Sequence, residues 1–81
     1  MARASESSIV AKCTAVVDLL SNARRPLGFK EITESSGLLK SSAHRILSVL
    51  LSEELVEYDQ LTKVYRVGPR LNAWSRAIWS R

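Results

Sequence analysis

Apolar residues recur along this chain first at helical spacing and later in alternation. Ile9, Cys13, Val16, Val17 and Leu20 predict a helix that Ser7 or Ser8 can cap and that runs to about Asn22. Arg24, Arg25, Pro26, Leu27 and Gly28 interrupt it, and Leu27 to Phe29 read as a very short strand. A second helix of about two turns follows from about Glu31 to Ser36, with Ile32 inward and Glu31 and Glu34 outward. Gly37 can take positive φ and turn the chain into a third helix over 40–52. Val56, Glu57 and Tyr58 then alternate, Asp59 to Lys63 form a polar turn, and Val64 to Val67 resume an extended pattern. Gly68 and Pro69 break that strand, and proline suits the first turn of a last helix carrying Leu71, Trp74, Ile78 and Trp79.

The third helix has an unusual division of faces. At about 100° per residue, Arg45, Ser48 and Ser52 fall within about a ninth of a turn of Ser41, and His44 lies a little further round. Ala43, Ile46, Leu47 and Leu50 cluster opposite, with Val49 and Leu51 on the flanks. The polar strip holds small hydroxyls, one imidazole and one guanidinium, and lacks the long Glu and Lys residues that usually solubilise an exposed helix. Small side chains let a helix sit deep in a groove, where Arg, His and Ser reach base edges or phosphate oxygens. An ordinary solvated amphipathic face fits the same pattern. Joined through a glycine to the short second helix, the pair forms a bihelical unit, and a ribbon after it makes the winged form of the helix-turn-helix. The predicted class is therefore mainly α with a small β-hairpin: a three-helix core, a two-stranded wing and a C-terminal linker helix.

Charge and composition narrow the function. The 81 residues carry 12 Lys and Arg against 8 Asp and Glu, a net charge of +4, which suits a polyanion. Arg24, Arg25, Lys30, Lys40 and Arg45 lie before or within the bihelical unit, whereas Glu53, Glu54, Glu57 and Asp59 fall beyond it, so the basic end is expected to face phosphate. The length allows one modest core and leaves little room for a substrate-enclosing fold. Cys13 is the only cysteine, which excludes an intramolecular disulfide and a multi-cysteine metal site; on the apolar stripe it reads as a small buried hydrophobe rather than a reactive thiol. One histidine, one cysteine and scattered carboxylates supply no local nucleophile, base and orienting partner, so no enzyme, cofactor or metal is expected. Met1 to Ser8 is polar and no apolar run approaches membrane-spanning length, which predicts a soluble, cytoplasmic protein with no membrane partner. The expected organisation is an arm at 1–7, its Arg3 in solvent, a DNA-binding domain at 8–68 (helix-turn-helix about 30–50, wing about 56–67) and the start of a linker helix at 69–81.

Four segments taken in order carry a more specific signal. Val16-Val17-Asp18-Leu19-Leu20, Leu27-Gly28-Phe29-Lys30-Glu31-Ile32, Ser36-Gly37-Leu38-Leu39-Lys40-Ser41-Ser42-Ala43-His44-Arg45-Ile46-Leu47 and Tyr65-Arg66-Val67-Gly68-Pro69-Arg70-Leu71 together resemble the DNA-binding domain of the IclR family of bacterial transcriptional regulators. The resemblance covers nearly the whole chain. It implies a winged helix that binds operator DNA, palindromic for preference, as a homodimer or dimer of dimers, with a small-molecule effector read by a larger C-terminal domain absent from these residues. It also implies a bacterial, nucleoid-associated location. Two departures stand out: a hydroxyl residue usually caps helix two where Lys30 stands, and proline or serine usually opens helix three where Leu39 stands. Each loss is expected to weaken a helix start by about 1 kcal/mol, although Lys30 could serve a phosphate instead.

The expected reading residues are Ser41, Ser42, His44 and Arg45 in the major groove, with Lys40 at the helix N-terminus. Lys30, Arg24 or Arg25, and Thr62 and Lys63 at the wing tip are expected to hold the backbone. Leu71 and Trp74 are expected in the core, Ile78 and Trp79 at a partly interfacial surface, and Trp74, Ile78 and Trp79 in dimer or interdomain contact. The rival class is a winged-helix protein-interaction module working through the apolar flank of Val49, Trp74 and Trp79.

Overall fold

The computed structural model describes residues 9–80; the arm at 1–7 with its Arg3, the Ser7 or Ser8 cap and Arg81 lie outside the described residues. Helix α1 (Ile9–Asn22) is followed by α2 (Phe29–Ser36) and α3 (Lys40–Ser52), the hairpin strands β1 (Val56–Asp59) and β2 (Val64–Val67), and α4 (Pro69–Trp79). This is a winged helix.

Its core follows from the helical stripes. Val16 and Leu20 of α1, Ile32 of α2, Ala43, Ile46, Leu47 and Leu50 of α3, and Leu27 and Val56 meet in one buried cluster with no buried polar side chain. Burying an aliphatic side chain of this size contributes about 1.5–3 kcal/mol, so α3, which supplies four buried residues, is the element the rest is built around. Its polar strip is left outside as a direct result.

Helix α2 begins at Phe29, two residues before the Glu31 start expected from the pattern. The reason is a cap formed one step earlier. The Gly28 N–H donates to Glu31 Oε1 at 2.9 Å, which is the backward half of a capping box, and Arg25 clasps the same carboxylate. Lys30 is therefore an interior residue of the first turn, and the expected loss of a cap at Lys30 does not arise. At α3 the loss is real: Leu39 occupies the cap position with extended backbone (φ −67°, ψ 153°) and makes no side-chain cap hydrogen bond. Gly37 ends α2 at φ 77° and its N–H donates to the Thr33 carbonyl at 3.0 Å, so the turn uses the left-handed conformation glycine permits.

The strands pair antiparallel, Val56 with Val67 and Asp59 with Val64 at the two ends. Only Leu27 of the expected strand at 27–29 pairs, as a single bridge to Tyr65 in which each N–H donates to the other's carbonyl at 3.0 and 2.7 Å; Phe29 is helical. That bridge ties the α1–α2 connection to the wing. At the other end the chain turns through Glu54 at φ 61°, and the Gly68 and Arg70 N–H groups donate to the Leu55 and Glu54 carbonyls at 2.9 and 3.1 Å. The exit to α4 is thus fixed by backbone bonds.

Helix α4 departs from expectation. None of its residues is buried; Leu71 is half-buried, and Trp74 is 50% exposed rather than in the core. The stripe of α4 faces outward because the nine buried residues already close the core without it. No helix among the described residues is long and apolar enough to cross a membrane.

Candidate nucleic-acid interface

The α3 strip is solvent-facing along its whole length. Ser41, Arg45, Ser48 and Ser52 are all exposed, as are Lys40 and His44, while Ser42 is half-buried. The angular layout places the hydroxyls centrally and the ionisable groups toward either margin.

On one side of α3 lies a recess of about 460 Å³ between α2 and α3, lined by Phe29, Lys30, Thr33, Glu34, Lys40 and His44. It unites three expected contact residues, Lys30, Lys40 and His44. The imidazole of His44 stacks on the Phe29 ring, centroids 4.2 Å apart and planes 20° from parallel. His44 remains exposed while stacked, and aromatic pairs contribute about 0.5–1.5 kcal/mol beyond their area burial. The stack was not legible in sequence, because Phe29 stood in a presumed strand.

On the other side a smaller recess of about 100 Å³ is lined by Ile9, Lys12, Ser42, Arg45 and Ile46. It brings Lys12 of α1 beside Arg45 and Ser42, a cation that the sequence reading passed over. Lys12 lies next to Cys13 on α1, and its relation to the polar strip depends on how α1 crosses α3.

The remaining expected contacts fare unequally. Arg24 is exposed. Arg25 is also exposed, but its guanidinium is engaged by Glu31: the carboxylate raises the proton affinity of Arg25, while the guanidinium pulls the Glu31 carboxyl down to about 2 and the Gly28 N–H adds to that lowering. Arg25 thus serves the start of α2, and its charge is shared with a carboxylate.

At the wing, Asp59 belongs to β1, and the turn comprises 60–63. The Asp59 carboxylate accepts the Thr62 and Leu61 N–H groups at 3.2 and 2.9 Å, bonds that hold its carboxyl below the usual carboxylate range. The Lys63 N–H donates to the Asp59 carbonyl at 2.7 Å, and Lys63 itself sits at φ 61°. Thr62 and Lys63 are both exposed on this braced tip. Beyond the bihelical unit, Glu53 pairs with Arg70 at 3.4 Å and Glu57 with Arg66 at 3.2 Å, so the acidic cluster is partly neutralised within the chain.

A groove of about 410 Å³ runs between α1, the end of α3 and α4, with Val10, Cys13, Val17, Leu55, Leu71 and Trp74 in its wall. Burial raises the Cys13 thiol above its ordinary range, a direction that disfavours the thiolate. The residue is half-buried, a wall of this groove rather than a member of the buried core. Among the described residues no group of three His, Cys, Asp or Glu could hold a metal ion.

The IclR helix-turn-helix domain model matches residues 10–60. The chain is similar to the glycerol operon regulatory protein of Streptomyces coelicolor, 38% identical over 60 residues that make up 74% of this chain and 24% of that protein. It is 36% identical to the protein of the same name from Streptomyces griseus over 62 residues, 76% of this chain and 24% of the relative. The chain therefore spans about a quarter of the length of the curated relatives it matches. Among solved structures, the Agobacterium tumefaciens repressor BlcR aligns with a TM-score of 0.80 at 27% identity, covering 90% of this chain and 29% of that one. An IclR transcriptional regulator from Alicyclobacillus acidocaldarius aligns at 0.77 and 35% identity, covering 85% and 28%.

Proposed function

Since the chain belongs to the IclR family of transcriptional regulators and carries that family's helix-turn-helix DNA-binding domain, we propose that it reads operator DNA in a sequence-specific manner with α3 in the major groove. The observation that carries the reading is the exposed strip of Ser41, Arg45 and Ser48, small enough to enter a groove and flanked by cations on both margins. In this reading Arg45 and His44 contact base edges, Ser41 and Ser42 contact bases or adjacent phosphates, and Lys40 meets phosphate at the N-terminus of α3. Arg45 can pair with guanine O6 and N7, the commonest base-specific contact in the major groove. Lys30, Arg24, Lys12, Thr62 and Lys63 hold the backbone and set register; Arg25 contributes through the pair it forms with Glu31.

Two copies bind a palindromic operator, with Trp74, Ile78 and Trp79 in the contact between copies. What supports this part is the exposure of those three residues, 50%, 58% and 83%, the first of them in the wall of an apolar groove; solvent is a costly neighbour for so much apolar surface.

Selecting binders from random duplex DNA, then titrating the selected duplex at several salt concentrations, tests the proposal. A single motif should be enriched, and log affinity should fall with log salt by about 0.9 for each phosphate neutralised. Arg45→Ala should lower discrimination at one position by about 1–3 kcal/mol, whereas Lys12→Ala should weaken all duplexes alike and reduce the salt slope by about one unit. A folded domain that enriches no motif overturns sequence-specific reading and favours a protein-interaction module.

A further inference from the structure

We propose that Leu61, at the tip of the wing, is an apolar wedge that enters the minor groove and partly unstacks a base step beside the major-groove site. This rests on the DNA-reading function above and adds to it a contact of a different kind, one that reads deformability instead of hydrogen bonds.

Leu61 is 92% exposed, the most exposed of the large apolar side chains among the described residues. An aliphatic residue on a loose loop would mean little. This loop is braced: the Asp59 carboxylate accepts the Leu61 and Thr62 N–H groups, the Asp59 carbonyl accepts the Lys63 N–H, and Lys63 closes the turn in the left-handed region. The wing behind the tip is itself tied to the start of the reading unit through the Leu27–Tyr65 bridge. Leu61 is thus held out from a rigid support at low additional entropy cost on binding.

The chemistry around it favours nucleic acid over protein. Gln60, Thr62 and Lys63 flank the leucine in the turn and are exposed, with donors suited to phosphate and groove edges, and the anion in the same tip, Asp59, accepts the Leu61 and Thr62 backbone amides. A stable protein interface buries about 1,200 Å² or more, far more apolar surface than one leucine offers. Minor-groove binders use this arrangement of an apolar side chain with polar neighbours, inserting Leu, Ile, Met or Phe between base steps and kinking the duplex. Burying one leucine and unstacking one step are of the same order of free energy. The wedge is therefore decisive only where the step is easily opened, so it should select pyrimidine–purine steps, TA or CA, beneath the wing.

The test uses the full chain with the duplex selected above, carrying a fluorescent adenine analogue at the step protected by the wing. The parent should raise analogue fluorescence, bend the duplex by about 20° or more in circularly permuted fragments, and prefer a TA over a GG step there by about tenfold. Leu61→Ala should abolish the fluorescence change and bring the step preference close to unity, while melting like the parent because the side chain makes no internal packing. Leu61→Met should restore both signals. A parent that binds its motif without fluorescence change or bend, or a Leu61→Ala variant that keeps them, overturns the wedge and leaves operator reading intact. A parent that binds no duplex selectively overturns the DNA reading itself. If Leu61→Ala alters sedimentation of the free protein and leaves the DNA signals unchanged, the tip docks on protein and the wedge is refuted.

Discussion

Replacing Gly68 by alanine should be among the most damaging single-methyl changes this domain can suffer. A Cβ there would meet the Glu54 carbonyl oxygen at 2.5 Å and the Val56 nitrogen at 2.9 Å, both backbone atoms. Ordinary contact needs roughly 1 Å more, and neither atom belongs to a flexible side chain that can swing aside. The junction cannot relax cheaply, because Gly68 N–H is bonded to Leu55 and Arg70 N–H to Glu54 at 2.9 and 3.1 Å. Overpacking of this sort costs about 1–3 kcal/mol, and losing one of those bonds adds about 1 kcal/mol. The sum, about 2–4 kcal/mol, is a large part of the total stability of about 5–15 kcal/mol typical of small domains, and corresponds to a fall in Tm on the order of 10–25 °C. Urea denaturation followed by far-ultraviolet circular dichroism would measure it. Gly37→Ala is the control: at φ 77° it meets no atom within 4 Å, so it should lose only about 1–2 kcal/mol of backbone strain, and Gly37→Asn less. A Gly68→Ala midpoint equal to that of the parent, or above that of Gly37→Ala, would refute the argument that space and not torsion dictates glycine at 68.

Three further outcomes are expected. Glu31 has a folded pKa of about 2 against an ordinary 4.5, so its contribution is complete above about pH 4.5 and is lost as pH falls from there toward 2. Glu31→Gln, which can still accept the Gly28 N–H, should flatten the acid limb of stability in that window without moving the neutral value by as much as loss of the cap would. Leu39→Ser should stabilise α3 by about 1 kcal/mol by supplying the missing cap, read as a raised urea midpoint; Leu39 is 74% exposed, so no packing is lost. Lys63→Gly should relieve left-handed strain at φ 61° by about 1 kcal/mol while lowering the salt slope of DNA binding, a split between stability and affinity that a purely structural lysine would not give.

Most of the architecture was written in the spacing of apolar residues. The α3 back face, the glycine turn and the alternation of the hairpin each obey one local period, and all three are as expected. What escaped the sequence depended on long-range or competing contacts. Helix α2 starts early because Glu31 reaches back to Gly28, a bond that propensity alone does not reveal. Lys12 joins Arg45 only through the crossing of α1 over α3, and Phe29 finds His44 only once Phe29 is helical. Leu61 was hidden among four polar neighbours in a turn, where its apolarity left no periodic mark. Trp74 stands half exposed instead of in the core, because an apolar stripe states that a face seeks cover and does not state whether the cover lies within the same chain.

The outward stripe of α4 also makes the helix a device of phase. Each residue turns the stripe by about 100°, and half-buried Leu71 together with the bonded Gly68 exit sets the zero of that rotation. Inserting one alanine between Leu71 and Trp74 would swing Trp74, Ile78 and Trp79 by about a quarter turn around the shaft and point them away from their original azimuth. Inserting four would return them to within about 40° while moving them about 6 Å further along it. Whatever meets those residues is therefore keyed to α3 by angle as well as by distance, and a ladder of alanine insertions would report that key as a periodic rise and fall of function.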